Sequence, residues 1–240
     1  ADASIERRVS AGDLRAFATG LFAARGVGRD EAQIIADSLV QSNLRGHDSH
    51  GVMRLPSYFE KIEKDEVVVG APFETAKETP LALMADGHWG FGQVQCRRLT
   101  ERLIEKAKLT GLAMGTLRCT THVGRLGEYC EMAVEAGLLA VMMANTHGTS
   151  KWVAPPGGKA ARIGTNPIAF GIPNGEQPFL LDFSTSASSE GKVRLRHISG
   201  QPCPAGWLLD AEGQPTSDPN VLYGDPPGTI LSMGGDQPHR

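Results

Sequence analysis

The densest group of chemically capable side chains in the 240-residue sequence lies at residues 45–51. Two imidazoles, a carboxylate and a hydroxyl stand there between glycines, a composition typical of a functional turn. An imidazole can carry a proton at neutral pH, and a neighbouring serine can fix its tautomer. One of the two histidines, His47 or His50, is therefore a catalytic candidate, with Ser49 or Asp48 placed to fix its tautomer. The alternative is that Asp48 and Ser49 only cap the next helix while the histidines are solvated.

Arg54 and Tyr58 follow one helical turn apart on the same face of a helix that the apolar spacing predicts at residues 52–64. A guanidinium holds a carboxylate through two parallel hydrogen bonds, which a lysine cannot do. We expect both residues to bind a small acid, because they lie close to His50. Taken alone, each is equally well explained as a surface or packing residue of a helix.

A further histidine, His122, follows a predicted strand and precedes a predicted helix. Proteins of mixed helix and sheet often place functional loops at such a junction. His122 is therefore a second catalytic candidate that could face His50. A structural role for a lone histidine at a strand end stays open beside it.

Two segments further along carry hydroxyls, an amide and a carboxylate suited to the ribose or phosphate groups of a cofactor. Turn formation alone explains the first segment equally well. The residues concerned are Thr165, Asn166, Asp182, Ser184, Thr185 and Ser186.

Apolar periodicity predicts the elements that must position these groups. A capping box at Ser10 begins a helix that ends near Gly26, with Phe17 on its buried face, and Asp30 caps a second helix. Further helices are expected at residues 93–109 and 126–136, and strands at 81–85, 112–117, 138–144, 168–172 and 179–183. The segment 138–144 has the near-continuous apolar content of a strand buried on both faces, and the last two strands form a hairpin.

A segment punctuated by proline and glycine, residues 70–80, predicts a boundary. We expect a helical region at 1–75 that carries the catalytic turn, and a cofactor-binding sheet domain at 76–240. The last forty residues show little periodicity and end without a closing element.

Bulk properties exclude several classes of protein. The net charge is −3 with no basic stripe, so nucleic acid is not an expected partner. The apolar run at 138–144 is too short to cross a bilayer, and the sequence starts with charged residues, so a cytoplasmic location is expected. The four cysteines are widely spaced, which predicts reduced thiols.

The sequence contains no G-x-G-x-x-G, P-loop or G-x-S-x-G motif. Residue chemistry alone therefore supports two kinds of enzyme equally. One is a dehydrogenase. The other is a metal-dependent hydrolase or lyase that uses His47, His50, His122 and His147.

Four segments, 42–54, 121–127, 162–167 and 181–186, resemble in content and order those of the malate/L-lactate dehydrogenase family that lacks the Rossmann fold. The resemblance implies an α/β (α+β) fold, in which a helical N-terminal region packs on a mixed, largely antiparallel sheet that binds NAD or NADP. It further implies a homodimer that transfers a hydride between NAD(P)H and a small 2-keto or 2-hydroxy acid such as malate, lactate or sulfolactate, with no metal.

By position, the resemblance makes His50 the proton donor to a carbonyl, with Ser49 beside it and Arg54 on the substrate carboxylate. His122 matches a histidine that accepts the proton in some members, so the choice of acid and base stays open. The terminal segment 234–240 resembles a cofactor motif in which glycine precedes His-Lys, which adds His239 and Arg240 to the cofactor set. Pro238 and Arg240 depart from that motif.

Family members continue well beyond this motif, so we expect the chain to be truncated at its C-terminus. A truncated chain would expose apolar surface and be prone to aggregate. An inactive binding or assembly partner is therefore an alternative to an active dehydrogenase.

Overall fold

A computed structural model of the chain describes residues 8–146 and 151–235. The chain forms two compact units, Ala1–Leu138 and Leu139–Arg240. The boundary predicted between residues 75 and 76 falls inside the first unit, within its first strand, Glu74–Glu78, and stays a prediction.

The first unit begins with helix α1, Ala11–Ala23, whose N-terminus is capped as predicted: the Ser10 hydroxyl accepts a hydrogen bond from the Asp13 amide. Ala18 and Phe22 form the centre of its buried face. The prediction that Phe17 is buried was wrong, because it lies at the edge of the apolar stripe and is 60% exposed.

Helix α2, Arg29–Leu44, starts two residues earlier than predicted, because Gly28 and not Asp30 is its N-cap. Two single 3₁₀ turns follow, Asp48–His50 and Val52–Arg54, and lead into helix α3, Leu55–Glu63. Pro56 lies in the first turn of α3, where its missing N–H costs no hydrogen bond. The rings of Phe22, Tyr58, Phe59 and Phe91 meet in the core of this unit.

A three-stranded sheet completes the first unit, with strands β1, Glu74–Glu78, β2, Ala82–Gly90, and β3, Met114–Thr120. Strand β2 pairs antiparallel with β1 and parallel with β3. Helix α4, Gly92–Thr110, lies against β2 and β3 and also contacts α2 and helix α5, Gly127–Glu135. Strand β1 was not predicted, because all five of its side chains are exposed and it has no apolar alternation.

The second unit contains an antiparallel sheet of β4, Ala140–Met143, β5, Ile168–Ile172, and β6, Phe179–Phe183. The predicted hairpin of the last two strands is confirmed. The prediction that residues 138–144 are buried on both faces was wrong. Within the described residues β4 is an edge strand that pairs with β5, and Val141 and Met143 are 49% and 70% exposed.

The remaining residues form short elements although they lack periodicity. Helix α6, Glu190–Ser199, precedes strands β7, Leu208–Leu209, β8, Pro215–Thr216, and β9, Thr229–Ile230, which make a small antiparallel sheet. These elements enclose a core of buried side chains, which are Val153, Val193, Cys203, Leu208, Leu222 and Ile230.

The expected class of fold, mixed helix and a largely antiparallel mixed sheet without a Rossmann arrangement, is confirmed. All four cysteines are free thiols. Over residues 8–146 and 151–235, no helix is both long and apolar enough to cross a membrane.

Candidate functional site

The turn that carries His50 is held by a side chain of helix α2. The Asn43 amide donates to the Asp48 carboxylate over 2.5 Å, and its oxygen accepts from the Val52 N–H at 2.9 Å. Gly51 lies so close that a Cβ there would be 2.2 Å from Asn43 Oδ1. The end of α2 and the absence of a side chain at residue 51 therefore fix the position of the turn.

His50 is half-buried, and its Nδ1 lies 3.0 Å from the Ser49 hydroxyl. Burial, together with the nearby Arg54 and the neighbours His47 and Arg125, lowers the pKa of His50 from 6.5 to about 4. The side chain is consequently neutral at pH 7, and the predicted contact between Ser49 and His50 is present.

His122 has a more constrained environment. The Tyr58 hydroxyl lies 2.6 Å from His122 Nδ1, and the Gln93 amide nitrogen donates to the Tyr58 oxygen at 2.7 Å. Burial, with smaller contributions from Arg54 and His50, puts the pKa of His122 well below 6.5. Burial likewise raises the pKa of Tyr58 to about 12. His122 and Tyr58 are therefore both uncharged at neutral pH.

The structure brings the two predicted histidines together. The rings of His50 and His122 are nearly parallel, at 29°, with centroids 5.4 Å apart. Tyr58, a predicted substrate-binding residue, is only 3% exposed, and its hydroxyl is directed to His122.

Arg54 supplies the positive charge of this site. Its Nε is buried and has no hydrogen-bond partner in the part of the chain that the structure describes. None of the ion pairs found among the described residues includes it, although most other arginines of the first unit pair with a carboxylate. A partly buried guanidinium in this state can bind an anion with two hydrogen bonds.

Gln93 was missed by sequence reasoning. It lies at the start of α4 and is 1% exposed. The available signal was its position among apolar neighbours on the buried face of a predicted helix, where an amide requires a polar partner.

The start of α4 also presses against the His122 segment. A Cβ at Gly92 would lie 2.4 Å from the His122 carbonyl oxygen, and the Gly92 N–H donates to the Thr121 hydroxyl at 3.2 Å. Helix α4 therefore positions His122 both through its backbone and through Gln93.

The predicted cofactor residues lie in the second unit, where Thr185 joins two loops. Its amide donates to the Thr165 carbonyl at 2.9 Å, and its hydroxyl donates to the Asn166 carbonyl at 2.9 Å. Ser184 and Ser186 bond to each other through their hydroxyls. Asp182 is half-buried on β6.

His239 and Arg240 lie outside the described residues, as does His147 of the metal hypothesis. Within residues 8–146 and 151–235, no group of three or more histidine, cysteine or acidic side chains is placed to hold a metal ion.

Comparison with known proteins identifies the family of the chain. The family model described as malate/L-lactate dehydrogenase matches residues 9–239. The chain belongs to the malate/L-lactate dehydrogenase family. The relatives reported below do not support the alternative of a metal-dependent hydrolase or lyase.

An L-lactate dehydrogenase of Cupriavidus necator is 34% identical to the chain, over 95% of the chain and 66% of its own length. Hydroxycarboxylate dehydrogenase B of Escherichia coli is 36% identical over 94% of the chain and 63% of its own length. The structure of malate dehydrogenase from Entamoeba histolytica superimposes with a TM-score of 0.91 at 29% identity, covering 96% of the chain and 64% of the other protein. The chain thus spans somewhat less than two thirds of the length of these relatives.

Proposed function

We propose that the protein is an oxidoreductase that transfers a hydride between NAD(P)H and a small 2-keto or 2-hydroxy acid. The observation that carries the proposal is Arg54: a partly buried guanidinium without a carboxylate partner among the described residues, beside two neutral histidines. A substrate carboxylate is the anion that such a group accepts. Family membership supports the reaction type.

Substrate binding at Arg54 would change the proton affinity of both histidines. The Arg54 cation is the second cause, after burial, of the lowered pKa of His50 and of His122. A carboxylate paired with that cation cancels its effect, so the pKa of each imidazole rises toward 6.5. The bound acid therefore favours a protonated His50 when the carbonyl oxygen needs a proton.

We assign proton transfer to His50, with His122 as the second residue at the carbonyl. The Ser49 hydroxyl holds His50 through Nδ1 and leaves Nε2 for the substrate. For reduction, His50 Nε2 gives a proton to the carbonyl oxygen. For oxidation, the same nitrogen removes it from the hydroxyl. In this proposal Tyr58 contributes to substrate binding only through His122.

The second unit carries the residues that we assign to NAD or NADP. Hydroxyls, an amide and a carboxylate fit the ribose hydroxyls and the carboxamide of such a cofactor, and Thr185 holds both loops in one arrangement. When bound, the cofactor supplies or accepts the hydride. The assigned residues are Thr165, Asn166, Asp182, Ser184, Thr185 and Ser186, with His239 and Arg240.

A homodimeric, cytoplasmic enzyme is part of the same proposal. The homodimer is supported by the apolar side chains that the second unit exposes on one face of its β4–β6 sheet. These include Val141, Met143, Phe179 and Leu181.

The test is a fluorescence titration of the chain with NADH and with NADPH, followed by absorbance decay on adding a panel of 2-keto acids. We expect Arg54→Gln to raise the KM for 2-keto acids about 100-fold or more, because it removes a charge-assisted bidentate contact. The matched control is Arg97→Gln, because Arg97 is a half-buried arginine that pairs with Glu101. His50→Ala should abolish turnover.

Turnover that Arg54→Gln leaves unchanged would contradict the assigned carboxylate site. Absence of both cofactor binding and turnover would favour the alternative, an inactive binding or assembly partner.

A further inference from the structure

We infer that Tyr58 and Gln93 are positioning residues that fix His122 as the neutral tautomer with its proton on Nε2. The inference rests on the proposed function only for its catalytic consequence. The tautomer itself follows from the hydrogen bonds of the first unit.

The direction of the hydrogen bonds decides the tautomer. The Gln93 amide nitrogen can only donate, so the Tyr58 oxygen accepts that bond. The single phenol proton then goes to His122 Nδ1, 2.6 Å away. A neutral imidazole that accepts at Nδ1 carries its proton on Nε2.

Burial protects this chain of hydrogen bonds from competing water. Tyr58 is 3% and Gln93 is 1% exposed. Among the described residues Gln93 Oε1 has no hydrogen-bond partner, and a buried acceptor left in this state lowers stability. The Gln93 amide therefore lowers stability, and its nitrogen makes the bond that sets the direction of the hydrogen bonds from Gln93 through Tyr58 to His122.

His50 has no equivalent constraint. Its Nδ1 faces the Ser49 hydroxyl, which can donate or accept, so either tautomer of His50 keeps its bond. The two stacked imidazoles consequently have different tasks. His122 offers a permanent N–H that holds a carbonyl or hydroxyl oxygen, and His50 exchanges the proton.

Nitrogen NMR of the full chain labelled with ¹⁵N-histidine tests the inference, with the His122 signals assigned from a His122→Gln spectrum. At neutral pH we expect His122 to show a proton on Nε2 and none on Nδ1. A wild-type spectrum with the proton on Nδ1 would overturn the inference without any variant of the network.

Variants then locate the cause. Tyr58→Phe removes the donor to Nδ1, and we expect a measurable fraction of His122 to shift to the Nδ1–H form. Gln93→Met, which keeps the phenol but removes the bond that orients it, should give a smaller shift in the same direction. Tyr129→Phe is the matched control, because Tyr129 is equally buried but donates to the Val123 carbonyl.

An unchanged His122 tautomer in both Tyr58→Phe and Gln93→Met would also overturn the inference, and Gln93→Met serves alone if Tyr58→Phe does not fold. Because the spectra require no turnover, they separate this inference from the proposed function: the expected spectrum in a chain without activity would leave the tautomer established and the function refuted. In an active chain, we expect Tyr58→Phe to lower kcat about 10-fold or more with KM little changed, because it affects the chemical step. A Tyr129→Phe chain should keep its kcat.

Discussion

Acid should destabilise the first unit through His50, by an amount that follows from its environment. The pKa of His50 is about 4 in the folded chain and 6.5 when unfolded. A lowered pKa means that the unfolded state binds the proton more readily, so the stabilising contribution of neutral His50 is complete above pH 6.5 and is lost as the pH falls toward 4. At pH 5 the loss amounts to about 2 kcal/mol, with 1.36 kcal/mol per pKa unit.

The measurement is urea unfolding at pH 7.5 and pH 5.0 for the wild type, His50→Gln and His197→Gln. Carboxylates that titrate in this range affect all three proteins alike, so the comparison isolates the histidine. We expect the loss of stability between the two pH values to be about 1–2 kcal/mol smaller in His50→Gln than in the wild type. His197→Gln is the control, because His197 is exposed on α6, and we expect it to lose as much stability between the two pH values as the wild type. Equal losses in His50→Gln and in the wild type would refute the assignment of His50 as a neutral, half-buried group.

Three more substitutions or treatments have definite expected outcomes. Gly51→Ala should lower stability by about 1–3 kcal/mol in thermal unfolding, because its Cβ would lie 2.2 Å from Asn43 Oδ1. Gly20→Ala should raise stability by about 0.5–1 kcal/mol, because residue 20 is helical and its Cβ would have no atom within 4 Å. Equal effects of the two substitutions would count against the turn geometry. Burial raises the pKa of Cys96 to about 12, so this thiol should resist alkylation at pH 8 until the chain unfolds. Mass spectrometry of the peptides measures the labelling, and alkylation of native Cys96 ahead of half-buried Cys119 would contradict the burial of Cys96. Ser10→Ala should cost about 1 kcal/mol in urea unfolding, because the Asp13 amide loses its cap, and an unchanged midpoint would mean that the end of α1 is frayed.

Much of the fold was predictable because strong local signals agree with it. The Ser10 cap, Pro56 in a first turn and Gly111 at the end of α4 each have one local geometry that suits them, and the structure has it. Strand β1 and the last short strands were not predictable. Their order depends on pairing with distant residues, such as Glu74 with Asp86, and leaves no periodic pattern.

The candidate site was predictable in composition but not in connection. His50, Arg54 and His122 are conspicuous by residue type and position. The contact of Tyr58 with His122 spans 64 residues, and that of Gln93 with Tyr58 spans 35. Such contacts depend on how α3 and α4 pack, which a single sequence does not specify. The exposure of β4 was unpredictable for a similar reason, since apolar content does not distinguish an edge strand from a central one.

The close approach of Gly92 to the His122 carbonyl ties the imidazole to α4, the longest helix among the described residues. Helix α4 cannot tilt or slide without displacing His122, and any side chain at residue 92 would force the two apart. Heat should therefore not loosen the site before the rest of the first unit, as it does where reactive groups lie on independent loops. Anyone seeking a more heat-tolerant form of this protein can work on the contacts of α4 with β2 and β3, far from the histidines, and expect the site to gain as much as the fold.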